Sequence, residues 1–361
     1  MKDAEPVQAR RDGVATVVGN ARPQVVAVGT RGRAVRRASR KVIERVESLG
    51  LELSVTATAL AGRGDRAVRL QASRIRHLGC DRERPAAYRR LDRLMAQYGD
   101  ARTGLDLDEE LPDRFVCFIG QSRSGHSLVG SLVDAHPDAV LGHELHALKH
   151  LSAGFEFATV VRAARQNARI FHLYGREYTG YDYVVPGQHQ GTCRRLIVAG
   201  DKKGNGTARL LARDPGLVDR LETRLPVPLQ FVHVIRNPYD NIATKALRTG
   251  RGLEAVADRY LANARTIEAL RAACPQRVHD LHLARLIAEP RKELSALIEA
   301  LGLDPGVPSY LEACAGILFR TPSRTRDLVE WPPGLIDRID TGLAEIPALA
   351  GYAGGFHDAA G

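Results

Sequence analysis

The segment from Arg114 to His150 reads R-F-V-C-F-I-G-Q-S-R-S-G-H-S-L-V-G-S-L-V-D-A-H-P-D-A-V-L-G-H-E-L-H-A-L-K-H, and it restricts the fold more than any other stretch of the chain. Phe115 to Ile119 is a short apolar run with β-branched and aromatic bias, which predicts a buried strand. Gly120 ends the run and Gly125 follows five residues later. Leu128, Val129, Leu132 and Val133 then recur at helical spacing, and Pro137 stops the helix. A strand, a glycine-containing turn and a helix in succession aim backbone N–H groups and the positive end of a helix dipole at one spot, which suits an anion. The spacing Gly120-x4-Gly125-x-Ser127 nearly spells a nucleotide phosphate loop, but His126 stands where that loop carries lysine. A mostly neutral imidazole does not replace a fixed charge on a β- or γ-phosphate. The loop's cation is instead Arg123. On the loop alone three readings stand: a sulfuryl- or phosphoryl-group site of modified pattern, another phosphotransferase, or a glycine-rich turn of an α/β fold.

Further strands alternate with helices. Ala139 to Leu141, Arg195 to Ala199, Leu229 to Ile235 and Val278 to Leu283 read as strands; helices are expected near Leu145, over Val160 to Ile170, after Thr207, from Pro238 to about Arg248, and from Pro290 to Leu301. Asn237 as N-cap with Pro238 behind it is a strong helix start. This alternation predicts a central, mostly parallel sheet with helices on both faces. Ligands of such sheets bind beyond the carboxyl ends of the strands, where Gly120, Lys203 and Arg236 all fall. Arg236 with Thr244 and Arg248 supplies guanidinium and hydroxyl groups at a helix entrance, suited to a second phosphate. The competing expectation is a surface pair of Arg236 or Arg248 with Asp240.

These two stretches resemble sulfotransferases that use 3′-phosphoadenosine 5′-phosphosulfate (PAPS). S-R-S-G-H-S-L-V-G-S-L-V-D-A-H-P-D-A-V-L-G-H-E-L is similar to the 5′-phosphosulfate loop of bacterial and tyrosylprotein-type members, and V-I-R-N-P-Y-D-N-I-A-T to their 3′-phosphate motif. The resemblance implies a P-loop-like three-layer α/β fold over roughly Arg114 to Ile339. It implies Glu144 as general base, with Lys203 and Arg123 stabilising the transferring group and Lys202 as the near alternative to Lys203. Cofactor contacts are implied for Arg123, Ser124, Gly125, His126, Ser127, Leu128, Arg236, Thr244, Ser323, Arg324 and Arg326, with Arg248 also on a family position. The acceptor is expected to be a small molecule or glycan offering a hydroxyl or amine. The chain departs from the pattern at Gln121-Ser122 and at His126, where the family has a proline-containing entry and a threonine.

Local readings compete with these roles. Glu144 also suits the N-terminal end of a helix, where the dipole favours a carboxylate. His143, His146 and His150 have spacings compatible with a metal but lack a supporting carboxylate signature, so no metal is expected. His143 is a rival base. Phe171 to Tyr183 holds five of the chain's aromatic residues, for packing or for stacking on an acceptor.

The formal charge of +10 raises nucleic-acid binding as a further class. Counted along the chain, 21 of the 52 Lys/Arg but only 10 of the 42 Asp/Glu lie in residues 1–94, so the remaining 31 and 32 nearly cancel. The excess therefore belongs to a basic N-terminal extension, and no nucleic-acid role is expected of the main domain. The expected organisation is an extension and acidic linker over 1–111, a sulfotransferase domain over 112–350, and a flexible tail over 351–361. Helices are expected near Ala34 to Ser48 and Pro85 to Tyr98; Met95, the second of two methionines, makes a later natural start one reading of the extension. No apolar run reaches the length of a membrane helix, and Met1 to Gly13 lacks a signal-peptide core. Five scattered cysteines without C-x-x-C pairs indicate neither a disulfide framework nor a zinc site, and a cytoplasmic protein is expected. Two alternatives to sulfonyl transfer remain: a nucleotide-dependent kinase on a related P-loop fold, and a non-catalytic nucleotide- or nucleic-acid-binding protein using the basic extension.

Overall fold

A computed structural model describes Arg90, residues 110–179 and residues 183–357. The helices expected at 34–48 and, but for Arg90, at 85–98 lie outside the described residues, as do Met95 and nearly all of the extension.

Five strands, β1 (Arg114–Ile119), β2 (Ala139–His143), β3 (Val198–Lys202), β4 (Leu229–Ile235) and β5 (Val278–His282), form one sheet in the order β2-β3-β1-β4-β5. Every pairing is parallel. The central strand β1 explains the layering. Phe115, Cys117 and Ile119 point to one face and Val116 and Phe118 to the other, all essentially without solvent contact, as the period of two requires when both faces are covered. The first face is covered by α2 (Ala147–Ser152), α3 (Phe157–Thr179), α4 (Gly204–Leu211), α5 (Leu217–Glu222) and Ile267 of α7 (Leu253–Ala273). The opposite face carries α1 (His126–Asp134), α8 (Leu283–Ala288), α9 (Pro290–Ala300) and α10 (Tyr310–Gly316). A third apolar cluster joins α6 (Pro238–Thr249) and α7 to α11 (Leu335–Ala344). This is a P-loop-like, three-layer α/β fold. Among the described residues no helix is long and apolar enough to cross a membrane.

Three elements differ from the sequence expectation. β3 runs over Val198–Lys202 rather than Arg195 to Ala199, so it includes Gly200 and Asp201. A Cβ at Gly200 would lie 2.2 Å from the Val116 carbonyl oxygen, so the strand needs glycine here to lie against β1. β2 continues through Gly142 to His143. Helix α3 extends to Thr179 and takes in most of the aromatic stretch, which leaves Phe171 stacked on His143 with ring centroids 3.6 Å apart. As far as residue 357 the C-terminal turns pack on the domain, where Phe356 meets Tyr239 and Trp331 edge-on at 5.1 and 5.4 Å.

Candidate active site

At the carboxyl edge of the sheet the links after β2, β3, β1 and β4 open on a single cavity of about 1400 Å³. Gly125 (φ 96°) turns the link after β1 into α1, and a Cβ there would press on Leu283 at 3.1 Å. Arg123, in the middle of the turn, holds left-handed backbone at φ 75°. Asn241 of α6 fastens the turn, donating to the Ser122 carbonyl at 3.1 Å and to Ser124 Oγ at 3.0 Å. Arg123, Gly125, Ser127 and Leu128 line the cavity.

The side chains of Ser124 and His126 make contacts within the protein, and His126 is also among the residues that line the cavity. The Ser124 hydroxyl is buried against Asn241. The His126 ring turns inward, with Nε2 3.1 Å from the Ile119 carbonyl oxygen, and a Cβ on Gly204 would meet the ring at 2.3 Å. Burial and then the Lys202 charge lower its pKa to about 3, so the ring is neutral and supplies no cation. His126 therefore serves as a spacer under the turn, and what it and Ser124 offer an anion is backbone.

Glu144 is the first residue after β2, also in left-handed conformation at φ 59°. Its carboxylate accepts from Lys203 Nζ at 2.8 Å and from Lys202 Nζ at 3.4 Å. Lys202 is the last residue of β3 and is buried; its ammonium also donates to Ser127 Oγ at 3.0 Å and lies 3.3 Å from His143 Nε2. Burial lowers the Lys202 pKa to about 8, partly offset by Glu144 and Asp201. Burial alone would raise the Glu144 carboxyl, but the Lys202 and Lys203 charges hold it well below the usual carboxylate range. Both lysines thus reach Glu144, and of the two it is Lys202 that joins Glu144 to Ser127 in the first turn of α1.

Beyond β4 a guanidinium sits among hydroxyls. Arg236 Nη1 donates to Thr244 Oγ1 at 3.1 Å and to the Arg123 carbonyl at 3.2 Å; Nη2 donates to Ser323 Oγ at 2.9 Å and Thr325 Oγ1 at 3.0 Å. Asn237 caps the next helix, its side-chain oxygen accepting from the N–H groups of Tyr239 and Asp240. Arg248 lines the same cavity. Asp240 pairs with neither Arg236 nor Arg248: it accepts from the Arg326 N–H at 2.9 Å and lies 3.6 Å from Arg326 Nη1.

The C-terminal stretch contributes to the site unevenly. Arg326 is almost wholly buried and braces Asp240, and Arg324 pairs with Asp327 at 2.8 Å, so neither side chain lines the cavity, whereas Ser323 does. Both belong to the sequence P-S-R-T-R-D, where charge alone does not tell an interior arginine from a solvent-facing one. Thr325 and Asn241, absent from the expected set, carry no charge or motif that marks them. Asp201 is the other omission. Buried, it accepts from the N–H groups of Leu145 (2.8 Å) and Ala147 (2.9 Å) and so ties the Glu144 link to β3. A strand ending at Ala199 leaves it in a loop, where nothing in the sequence marks it. His143 and His146 line the cavity and His150 lies buried beside Phe155; among the described residues no cluster of three or more His, Cys, Asp or Glu is arranged to hold a metal ion.

Residues 116–306, more than half of the chain, match the model of the sulfotransferase family. The chain belongs to that family. Among solved structures it is similar to the sulfotransferase domain of the Synechococcus PCC 7002 olefin synthase, at 17% identity over 69% of this chain and 96% of that one, with a TM-score of 0.37. A sulfotransferase from Alicyclobacillus acidocaldarius gives 16% identity, 68% and 96% coverage and a TM-score of 0.37. Mouse sulfotransferase SULT7A1, solved complexed with PAP, gives 11% identity, 70% and 92% coverage and a TM-score of 0.37. No curated protein sequence matches significantly.

Proposed function

We propose that this sulfotransferase moves a sulfonyl group from PAPS to a hydroxyl or amine, with Glu144 as general base. The observation that supports it is that the β1 turn, the Arg236 hydroxyl cluster and the Glu144–lysine group open on one cavity. PAPS carries phosphate at both ends of its nucleoside, so a site for it needs two anion-binding groups within one molecule's reach. In this reading the 5′-phosphosulfate lies on the turn and the start of α1, and the 3′-phosphate joins Arg236, Thr244, Ser323 and Arg248. The nucleoside rests against the apolar wall of Leu283, Ala284 and Ile287, which lines the cavity beside the turn.

Transfer then proceeds in line. The acceptor oxygen or nitrogen attacks sulfur and gives its proton to Glu144. The bond from sulfur to the bridging oxygen breaks, and its electron pair stays on the 5′-phosphate of the released 3′-phosphoadenosine 5′-phosphate (PAP). Lys202 and Arg123, beside the turn, offset charge on the transferring group and the leaving oxygen, and Lys203 does so from the Glu144 side. Before the donor arrives both lysines hold Glu144, which keeps it a weak base. A phosphosulfate drawing their charge away raises the carboxyl toward a useful basicity.

Calorimetry with PAP and with ATP–Mg²⁺ tests the donor. PAP is expected to bind and ATP–Mg²⁺ not, and Arg236→Ala should weaken PAP by about 1.5–3 kcal/mol, as for a charged hydrogen bond. Preference for ATP–Mg²⁺ would turn the reading to a kinase, and unchanged PAP affinity in the variant would remove the 3′-phosphate assignment.

A further inference from the structure

His143 lines the cavity, yet the transfer described above gives it no task. It is the last residue of β2 and stands in register beside Lys202, the last residue of β3. Neighbouring strands lie about 4.8 Å apart, so side chains at one register position leave the sheet within reach of each other. Here Lys202 Nζ and His143 Nε2 are 3.3 Å apart, and both residues are buried.

Both partners are confined. Phe171 of α3 stacks on the His143 ring with centroids 3.6 Å and planes 8° apart, and Asn167 of the same helix accepts from the His143 backbone N–H. A Cβ on Gly130 of α1 would lie 2.9 Å from Lys202 Cγ, so the lysine stem fills the gap between α1 and the sheet.

The chemistry of the pair fixes which way the hydrogen bond runs. An ammonium has three protons and no lone pair, so it only donates. His143 Nε2 therefore carries the lone pair and Nδ1 the proton, since a proton on Nε2 would face those of the ammonium. Three acceptors then stand around Lys202 Nζ: Ser127 Oγ at 3.0 Å, His143 Nε2, and Glu144 Oε1 at 3.4 Å. The Glu144 contact is the longest, and Glu144 also has Lys203 at 2.8 Å. It is the contact that an arriving anion can replace.

We propose that His143 is a positioning residue: its Nε2 accepts from Lys202 and, with Ser127, keeps that ammonium at the turn while Glu144 is released to the acceptor. The same bond occupies the lone pair that a general base needs, so His143 is not the base. This rests on the sulfonyl-transfer reading and adds to it what holds Lys202 in place. The other ionisable groups that bear on Lys202 are Glu144 beyond β2, Asp201 and Lys203 beside it in sequence, and the neutral His126 of α1.

The test uses PAP as its probe, so the acceptor need not be known. Calorimetry on the full chain follows PAP affinity from about pH 6.5 to about 9.5 for the parent, His143→Phe and His143→Gln. Phenylalanine keeps a ring for Phe171 to stack on and removes the acceptor. Glutamine gives up the ring and offers an amide oxygen near the place of Nε2. Losing one hydrogen bond to a charged group makes the ammonium about tenfold easier to deprotonate. The fall in PAP affinity expected near pH 8 should then begin about one pH unit lower in His143→Phe, and stay at the parent's position in His143→Gln. A packing role predicts the reverse, and that result, or equal behaviour of the two variants, overturns the inference.

A second measurement decides even where a variant does not fold. In the parent chain with isotope-labelled histidine, nuclear magnetic resonance should find His143 with its proton on Nδ1 and none on Nε2, its signals identified by their loss in either variant. A proton on Nε2 sinks the inference. A parent that binds PAP equally across this pH range takes Lys202, and this inference, out of the donor site while leaving Arg236 in it. Failure of the parent to bind PAP at all removes the donor reading as well.

Discussion

Glu144 and Arg123 both hold left-handed backbone, a conformation that costs a residue with a side chain on the order of 1 kcal/mol or more. In each the side chain carries the charge that the proposed chemistry uses, so glycine, which would relieve the strain, would also remove the group. Glu144→Gln keeps the size of the side chain and loses the base. Transfer is expected to slow by about 10²–10⁴-fold while PAP binds as before or more tightly, since the lysines are released; steady-state rates beside PAP titrations decide, and full turnover dismisses Glu144. Lys202 supplies a second prediction at this scale. With its pKa lowered to about 8, it is charged below that pH and neutral above it, and only the charged form attracts the donor. PAP affinity should therefore decline as pH rises through about 8, and Lys202→Met should flatten the decline. A parent affinity that is level across this range would take Lys202 out of the donor site.

At the scale of single elements, two buried aspartates set the links around β2. Asp134 accepts from Leu141 N–H at 2.8 Å and Gly191 N–H at 2.9 Å, and Asp201 accepts from the two N–H groups that flank His146 in the Glu144 link. An asparagine at 201 has one acceptor oxygen instead of two, so Asp201→Asn leaves one of those N–H groups without its partner. The link should then hold Glu144 less firmly, and the transfer rate is expected to fall about tenfold with PAP affinity unchanged. A variant that lost PAP affinity and rate together would point to general unfolding instead. The same elements show what the sequence makes legible. The β1 turn and the Asn237–Pro238 helix start are local patterns, written within a dozen residues, and both stand as read. The extent of β3 is not written locally, because it depends on a neighbour: Gly200 ends a strand by propensity, yet here it fits against the Val116 carbonyl. Nothing near Arg326 in sequence says that Asp240 lies behind it. The inward turn of His126 likewise depends on Gly204, nearly eighty positions downstream.

Over the whole molecule, the third apolar cluster ties the C-terminal residues to α6, the helix that carries Thr244. Tyr239, in the first turn of α6, meets Trp331 at 5.9 Å and Phe356 at 5.1 Å, and its hydroxyl donates to Asp340. Phe356→Ala removes one side of this aromatic group. Because Phe356 is only partly buried, the cost is expected to be about 1–2 kcal/mol, below that of a full core truncation. Thermal unfolding followed by circular dichroism reads it, and an unchanged midpoint would mean that the C-terminal turns merely rest on the domain.

Arg236 draws its hydroxyl partners from two places far apart in sequence, Thr244 just downstream and Ser323 and Thr325 near the other end of the domain. On a ribosome, a nascent chain that has already finished its sheet still lacks half of that arginine's cage. In the proposed reading, donor capture then becomes available only late in synthesis, and a product cut short before residue 323 would carry the sheet while lacking the hydroxyls of Ser323 and Thr325.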